Sequence, residues 1–346
     1  MTDHSANMIA VTARTLGIGI CGAAAAWGLS VPAAFLLGPA VAVTLASVAG
    51  LRMELDDWLR DITMVALGLG IGAGFDTNAS AALLRWPLAF AVLAVMLVVS
   101  LLINRRILTY GFGFDRKSAV LAAVPGHLSL VLGIATGSGL DVGRIALVQT
   151  IRLLALTVVV PFAGLAMGYE MQASVMPVGA PMAWGHLGAL AAVGVTLAQV
   201  LKRAGLPAPM LLGPMIISAL GHVAGISPGA LPGWIMSGAF LGLGTLIGSR
   251  FSGMSRALMR STLLAGLITT GIAVIMAALA ALPVAMALGM PAAHVLAAFS
   301  PGGLETMIAL GVAMGASPGF VAACHVMRLV ILSLLLPLFL RRGVDP

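Results

Sequence analysis

Apolar runs of about twenty residues recur along the whole chain, separated by short polar turns. A helix of that length crosses a hydrocarbon core of about 30 Å. The pattern predicts hydrophobic elements near residues 9–29, 32–50, 58–76, 84–103, 118–137 and 144–165. It predicts six more near 184–201, 207–226, 231–249, 262–282, 293–314 and 318–340. The fifth of each set is interrupted near its middle, by Pro125-Gly126 and by Pro301-Gly302, with small residues on either side. Proline removes a helical hydrogen bond and crowds the preceding turn. The fifth element is therefore either a kinked span or a re-entrant hairpin of two half-helices.

The two sets of six are copies of one unit. Val31–Pro39 (VPAAFLLGP) matches Leu206–Pro214 (LPAPMLLGP) at an offset of 175 residues. Leu67–Phe75 (LGLGIGAGF) matches Leu243–Phe251 (LGTLIGSRF) at 176, and the register then holds. It pairs Gly139 and Gly143 with Gly315 and Gly319, Arg152 with Arg328, and Pro161 with Pro337. The chain thus divides into a first membrane repeat, 1–175, and a second, 176–346. A unit of this length is too long for a solenoid repeat and typical of a transporter half.

Composition agrees with the pattern. The chain is 60% hydrophobic and 8% charged, with a mean hydropathy of +1.11. Lipid must therefore be the solvent for most of it, as in an all-α polytopic membrane protein. The net charge of +7 falls in short loops, where it sets topology and meets lipid headgroups rather than nucleic acid. If all six elements of each repeat cross, nine Lys and Arg lie inside and seven outside. If the fifth returns to its own side, fifteen lie inside and only Arg85 outside, with Arg152 and Arg328 in the membrane. The second count obeys the positive-inside rule, although Glu54, Asp56, Asp57 and Asp61 dilute it at 51–61. Five crossings per repeat invert the second copy. The expectation is a multi-pass protein of the bacterial inner membrane with both termini cytoplasmic. An amino-terminal signal peptide, with Arg14 and Ala23–Ala26, is the lesser alternative, because that segment has a partner in the second copy.

The polar residues inside this apolar frame are few. Arg152 and Arg328 lie mid-span, where a guanidinium normally faces protein, water or a ligand. One turn earlier stand Gln149 and His325, giving QxxR and HxxR stripes on one face of each helix. The broken elements read VPGHLS at 124–129 and SPGGLE at 300–305. Their tips, Pro125, Gly126, His127, Ser129, Pro301, Gly302, Gly303 and Glu305, are expected near the membrane midplane. A half-helix beginning there offers free N–H groups to an anion, and an arginine can grip a carboxylate bidentately. The competing structural readings are a simple kink, a cap on carbonyls released by the break, and an arginine ion pair with Glu305. Glu305 is also the candidate for proton or sodium coupling.

Other residues carry less. The histidines show no metal-ligand spacing, and no cofactor motif is present. Cys21 and Cys324 read as two small buried hydrophobes. The glycine runs at 68–74 and 242–248 have the GxxxG spacing of close helix packing.

The LLGP motif, the run PGxLxxxxxxAxxxG, and QxxR or HxxR followed nine residues on by proline resemble the AbrB-type membrane family. Some of its members carry the label ammonia monooxygenase. The resemblance covers nearly the whole chain and rests on Leu211–Pro214, Pro301-Gly302-Gly303, His325 and Arg328. It departs at His127, where the second copy has Gly303. It implies an inner-membrane protein, sometimes described as regulating gene expression. In architecture the chain is also similar to inverted-repeat secondary transporters. The leading expectation is a transporter-like protein for a small anionic solute, a carboxylate, and not an enzyme. A membrane regulator and a monooxygenase are the alternatives. The expected partners are the bilayer, a small solute and a second copy in a homodimer.

Overall fold

The computed structural model describes residues 2–75, 86–126, 128–169, 180–206 and 208–341. His127 lies outside the described residues, and Ser129 is described only through its backbone in a helix. Fourteen helices are described, with no strand among the described residues. The first seven are α1 Thr2–Gly28, α2 Ala34–Val48, α3 Asp57–Gly72, α4 Trp86–Phe112, α5 Arg116–Ala123, α6 Leu128–Gly137 and α7 Val142–Ala166. The second seven are α8 Trp184–Arg203, α9 Pro209–Val223, α10 Gly233–Ser249, α11 Arg256–Leu288, α12 Ala292–Phe299, α13 Leu304–Ala313 and α14 Pro318–Arg341. The seventh counterpart arises because each fifth element is two helices.

Local chemistry sets the ends. Asp115 starts α5 by accepting from the Ser118 N–H at 2.9 Å, and Ser255 starts α11 by accepting from Leu258 at 3.1 Å. Such caps satisfy N–H groups that have no partner within the helix. Six helices, α1, α4, α7, α8, α11 and α14, are long and apolar enough to span a membrane. Large apolar side chains remain exposed along them, including Val95 at 66%, Leu279 at 62% and Leu334 at 70%. Contiguous apolar surface of this kind is stable against lipid rather than water. The chain is an all-α polytopic membrane protein. Cys21 is exposed on α1 rather than buried, while Cys324 is buried, and both are free thiols.

Two compact units are present, and each draws on both copies of the repeat. One contains Met1–Ser80, Val160–Gly253 and Ile308–Gly319; the other contains Ala81–Val159, Met254–Met307 and Phe320–Pro346.

In the first unit, α2 packs on α1 and α10, and α9 packs on α8 and α3. Glycine makes these approaches possible. A Cβ at Gly22 of α1 would strike the Gly38 carbonyl of α2, and one at Gly194 of α8 would strike Pro214 of α9. Gly244 and Gly248 of α10 press on Leu36 and Ala40 of α2; their equivalents Gly68 and Gly72 of α3 press on Leu211 and Met215 of α9. The third helix of each copy thus grips the second helix of the other, as GxxxG packing requires. Hydroxyls span both crossings: Ser47 donates to the Gly248 carbonyl at 3.3 Å and Ser218 to that of Leu69 at 2.8 Å. The equivalent residues Ala33 and Ala208, just before α2 and α9, share left-handed backbone at φ 49° and 44°.

In the second unit, the long helices α4 and α11 pack together, with α5 against α4 and α12 against α11. Gly266 of α11 admits Ile151 of α7. Trp86 and Phe320 stack with ring centres 5.7 Å apart.

Candidate anion site at the paired helix breaks

The two breaks have the same backbone geometry. Val124, ending α5, sits at φ −62°, ψ 121°, and its repeat equivalent Ser300, ending α12, sits at φ −58°, ψ 131°. One extended residue there stops each helix after eight residues, and a ten-residue helix follows each break. Gly126 completes the first break at φ 89°, a conformation that costs glycine little. Stopping a helix leaves its last carbonyls without N–H partners.

The two buried arginines meet those carbonyls. Arg152, 4% exposed, donates from Nη2 to the Val124 carbonyl at 3.1 Å and from Nη1 to that of Ala123 at 3.5 Å. Arg328, 1% exposed, donates from Nη2 to the Ala298 carbonyl at 3.0 Å. Gln149 extends the pattern, donating from Nε2 to the Leu121 carbonyl at 2.9 Å. His325, at the equivalent place, instead pairs Nδ1 with the Val321 carbonyl of its own helix at 2.9 Å. Each arginine therefore caps the broken element of its own repeat.

The ion pair expected between an arginine and Glu305 is not formed. Among the described residues, the ion pairs are Arg52–Glu54, Arg60–Asp57 and Arg60–Asp61, all near the 51–61 loop. Glu305 lies in the first turn of α13. Its Oε2 and the Thr306 hydroxyl each lie 3.4 Å from where a Gly303 Cβ would stand. A carboxylate there faces the positive end of the helix dipole, which supplies part of what a cationic partner would.

The copies also lean on one another. A Cβ at Gly126 would come within 3.0 Å of Leu329, the neighbour of Arg328; one at Gly303 would come within 3.4 Å of Leu153, the neighbour of Arg152. Each tip thus rests on the long helix of the other copy. Pro125, Gly126, Gln149, Arg152, Pro301, Gly302, Gly303, Glu305, His325 and Arg328 are drawn into this one region of the second unit. Leu153, Leu329 and the buried Thr306 belong with them. Their signal in the sequence was adjacency to repeat-equivalent polar residues.

The region holds two guanidiniums that form no ion pair among the described residues, the Glu305 carboxylate, and the amino-terminal ends of α6 and α13. Nε of each arginine is buried without a hydrogen-bond partner. Unpaired buried donors carry a desolvation cost that an anionic acceptor would relieve.

Residues 4–343 match the family model described as transition state regulatory protein AbrB. A Bacillus subtilis protein named "Uncharacterized protein YhjN" is 25% identical over 307 residues, covering 82% of this chain and 78% of that protein. An Escherichia coli protein named "Putative regulator AbrB" is 24% identical over 333 residues, covering 93% and 92%.

Proposed function

This chain belongs to the AbrB family, and we propose that it is a secondary transporter of a small anionic solute, a carboxylate, in the bacterial inner membrane. It rests on the pair of buried arginines, each at the break of its own repeat and without a carboxylate partner among the described residues. A solute carboxylate accepting from Arg328 and Arg152 would restore the missing negative charge. The backbone N–H groups at the starts of α6 and α13 would complete the site.

In this reading the repeats are inverted, five spans cross in each copy, and the broken elements enter from opposite faces. Reciprocal contacts support it: α3 on α9 with α10 on α2, and Gly126 on Leu329 with Gly303 on Leu153. Both termini lie in the cytoplasm. Alternating access then moves one bundle about a fixed midplane site. Glu305 is the coupling group, for a proton or a sodium ion: neutralising its charge beside the site favours the anion, and linkage makes the effect reciprocal. The regulator name of the Escherichia coli relative fits as an indirect effect, through the level of a transported solute.

Counterflow of labelled carboxylates in proteoliposomes tests the proposal. Exchange by the native protein and its loss in Arg328→Gln is the expected result; exchange undiminished by that substitution removes the arginine pair from the mechanism.

A further inference from the structure

A second cationic site lies in the same unit, away from the arginine pair and unused by the proposed mechanism. The carboxyl-terminal part of α4, the start of α5 and the end of α14 enclose a cavity of about 370 Å³. Its polar lining is Arg105, Arg106, Thr109, Tyr110, Arg116 and Lys117, with no carboxylate among the lining residues. Leu102, Val120 and Phe339 supply an apolar wall. The Arg106 guanidinium lies over the Tyr110 ring, 5.3 Å from its centre, which holds one side of the opening. The nearby Asp115 carboxylate is engaged, accepting from the Ser118 N–H to cap α5.

The duplication supplies an internal control. At the equivalent positions the second copy has Ala281, Leu282, Ala285, Met286, Ala292 and Ala293. Every polar lining residue is replaced by an apolar one, while the helix pair and the break after it are kept. The fold therefore does not need these cations. Topology alone would be served by cations scattered through the loop. It does not call for four of them around a cavity with an apolar wall.

We infer that this cavity binds a phosphate-bearing headgroup, its phosphate held by Arg105, Arg106, Arg116 and Lys117. The apolar wall of Leu102, Val120 and Phe339 suits the glycerol and first acyl carbons of an anionic phospholipid at the membrane surface. A soluble phosphate compound shares the same headgroup chemistry. On the topology proposed above, the site faces the cytoplasmic leaflet.

The test uses the full chain in detergent, with native mass spectrometry and thermal melting. Probes are phosphatidylglycerol, cardiolipin, zwitterionic phosphatidylcholine, glycerol phosphate and inorganic pyrophosphate. Two variants are compared. Arg105→Gln with Lys117→Gln removes two charges. Thr109→Phe keeps all four cations, and hence the topogenic charge, but fills the cavity. The anionic lipids are expected to be retained and to raise the melting temperature, with phosphatidylcholine washed out. The double charge variant should weaken retention roughly tenfold or more, given about 1 kcal/mol for each cation at a membrane surface, and the cavity-filled variant should weaken it with its charge intact. Stabilisation by glycerol phosphate or pyrophosphate but not by lipid, lost in both variants, supports the site with a soluble ligand. Retention unchanged in the cavity-filled variant, or equal for anionic and zwitterionic lipid, overturns it.

Discussion

The Arg152 guanidinium donates to the Val124 carbonyl at 3.1 Å, the carbonyl that the break in its own repeat has left without a helical partner. Arg328 does the same for Ala298 at 3.0 Å. These caps explain how two positive charges persist in a membrane interior without counter-ions. Only part of each fork is used, since Nε of both arginines is unpartnered. Structural cap and ligand donor are therefore compatible roles of one side chain.

The capping role predicts a stability loss. Arg152→Gln should leave the Ala123 and Val124 carbonyls buried and unpaired, a cost of about 2 kcal/mol. Thermal melting of the purified protein checks this, with a clear drop expected. Arg152→Lys should recover only part of it, because an ammonium cannot span two carbonyls as a planar fork does. An unchanged melting temperature in Arg152→Gln would deny the cap.

Glu305 offers a prediction of opposite sign. It stands in the first turn of α13 beside Gly303. Glu305→Gln removes the negative charge, so anion affinity should rise and the dependence of uptake on the coupling ion should flatten. The lost helix-end interaction should cost only about 0.3–1 kcal/mol of stability. Weaker anion binding in Glu305→Gln would mean that the carboxylate serves the solute directly, against the proposed coupling.

Helix packing makes a third. Gly244 of α10 has no room for a side chain against Leu36 and Ala40, whereas a Cβ at Gly238 on the same helix meets nothing within 4 Å. Gly244→Leu should abolish folded yield or lower stability by about 3 kcal/mol or more. Gly238→Leu should be silent. Size-exclusion profiles of the two variants decide it, and equal behaviour would contradict the crossing.

The inverted arrangement is tested by labelling in a background of Cys21→Ser and Cys324→Ser. Met167→Cys, exposed just past the end of α7, should react with an impermeant reagent from the periplasm. Arg203→Cys, at the end of α8, should react from the cytoplasm. Labelling of either from the opposite side would break the topology.

Much of this was legible in the chain. The paired breaks fall where Pro125-Gly126 and Pro301-Gly302 mark them, and most helix ends lie within a few residues of the apolar runs. The fourth helix of each copy is longer than its run. α4 continues through Asn104, Arg105 and Arg106 to Phe112; arginine is a good helix former, and Asn104 is held by donating to the Ser100 hydroxyl at 3.3 Å. The partners of Arg152 and Arg328 were not legible. A sequence displays carboxylates, so Glu305 stood out; it does not display backbone carbonyls, which become acceptors only when the helix breaks. The exchange of helices between copies was hidden too, since helices apolar all round do not reveal which face packs on protein.

The most direct test of the account is the thermal stability of the detergent-purified protein against mono-, di- and tricarboxylates and amino acids, with Arg328→Gln and Arg328→Lys alongside. A ligand at ~100 times its dissociation constant should stabilise by about 2.7 kcal/mol. A shift is expected with one class of carboxylate, absent in Arg328→Gln and reduced in Arg328→Lys. No shift with any carboxylate, or a shift of equal size in both variants, would contradict it and leave the arginines as caps alone.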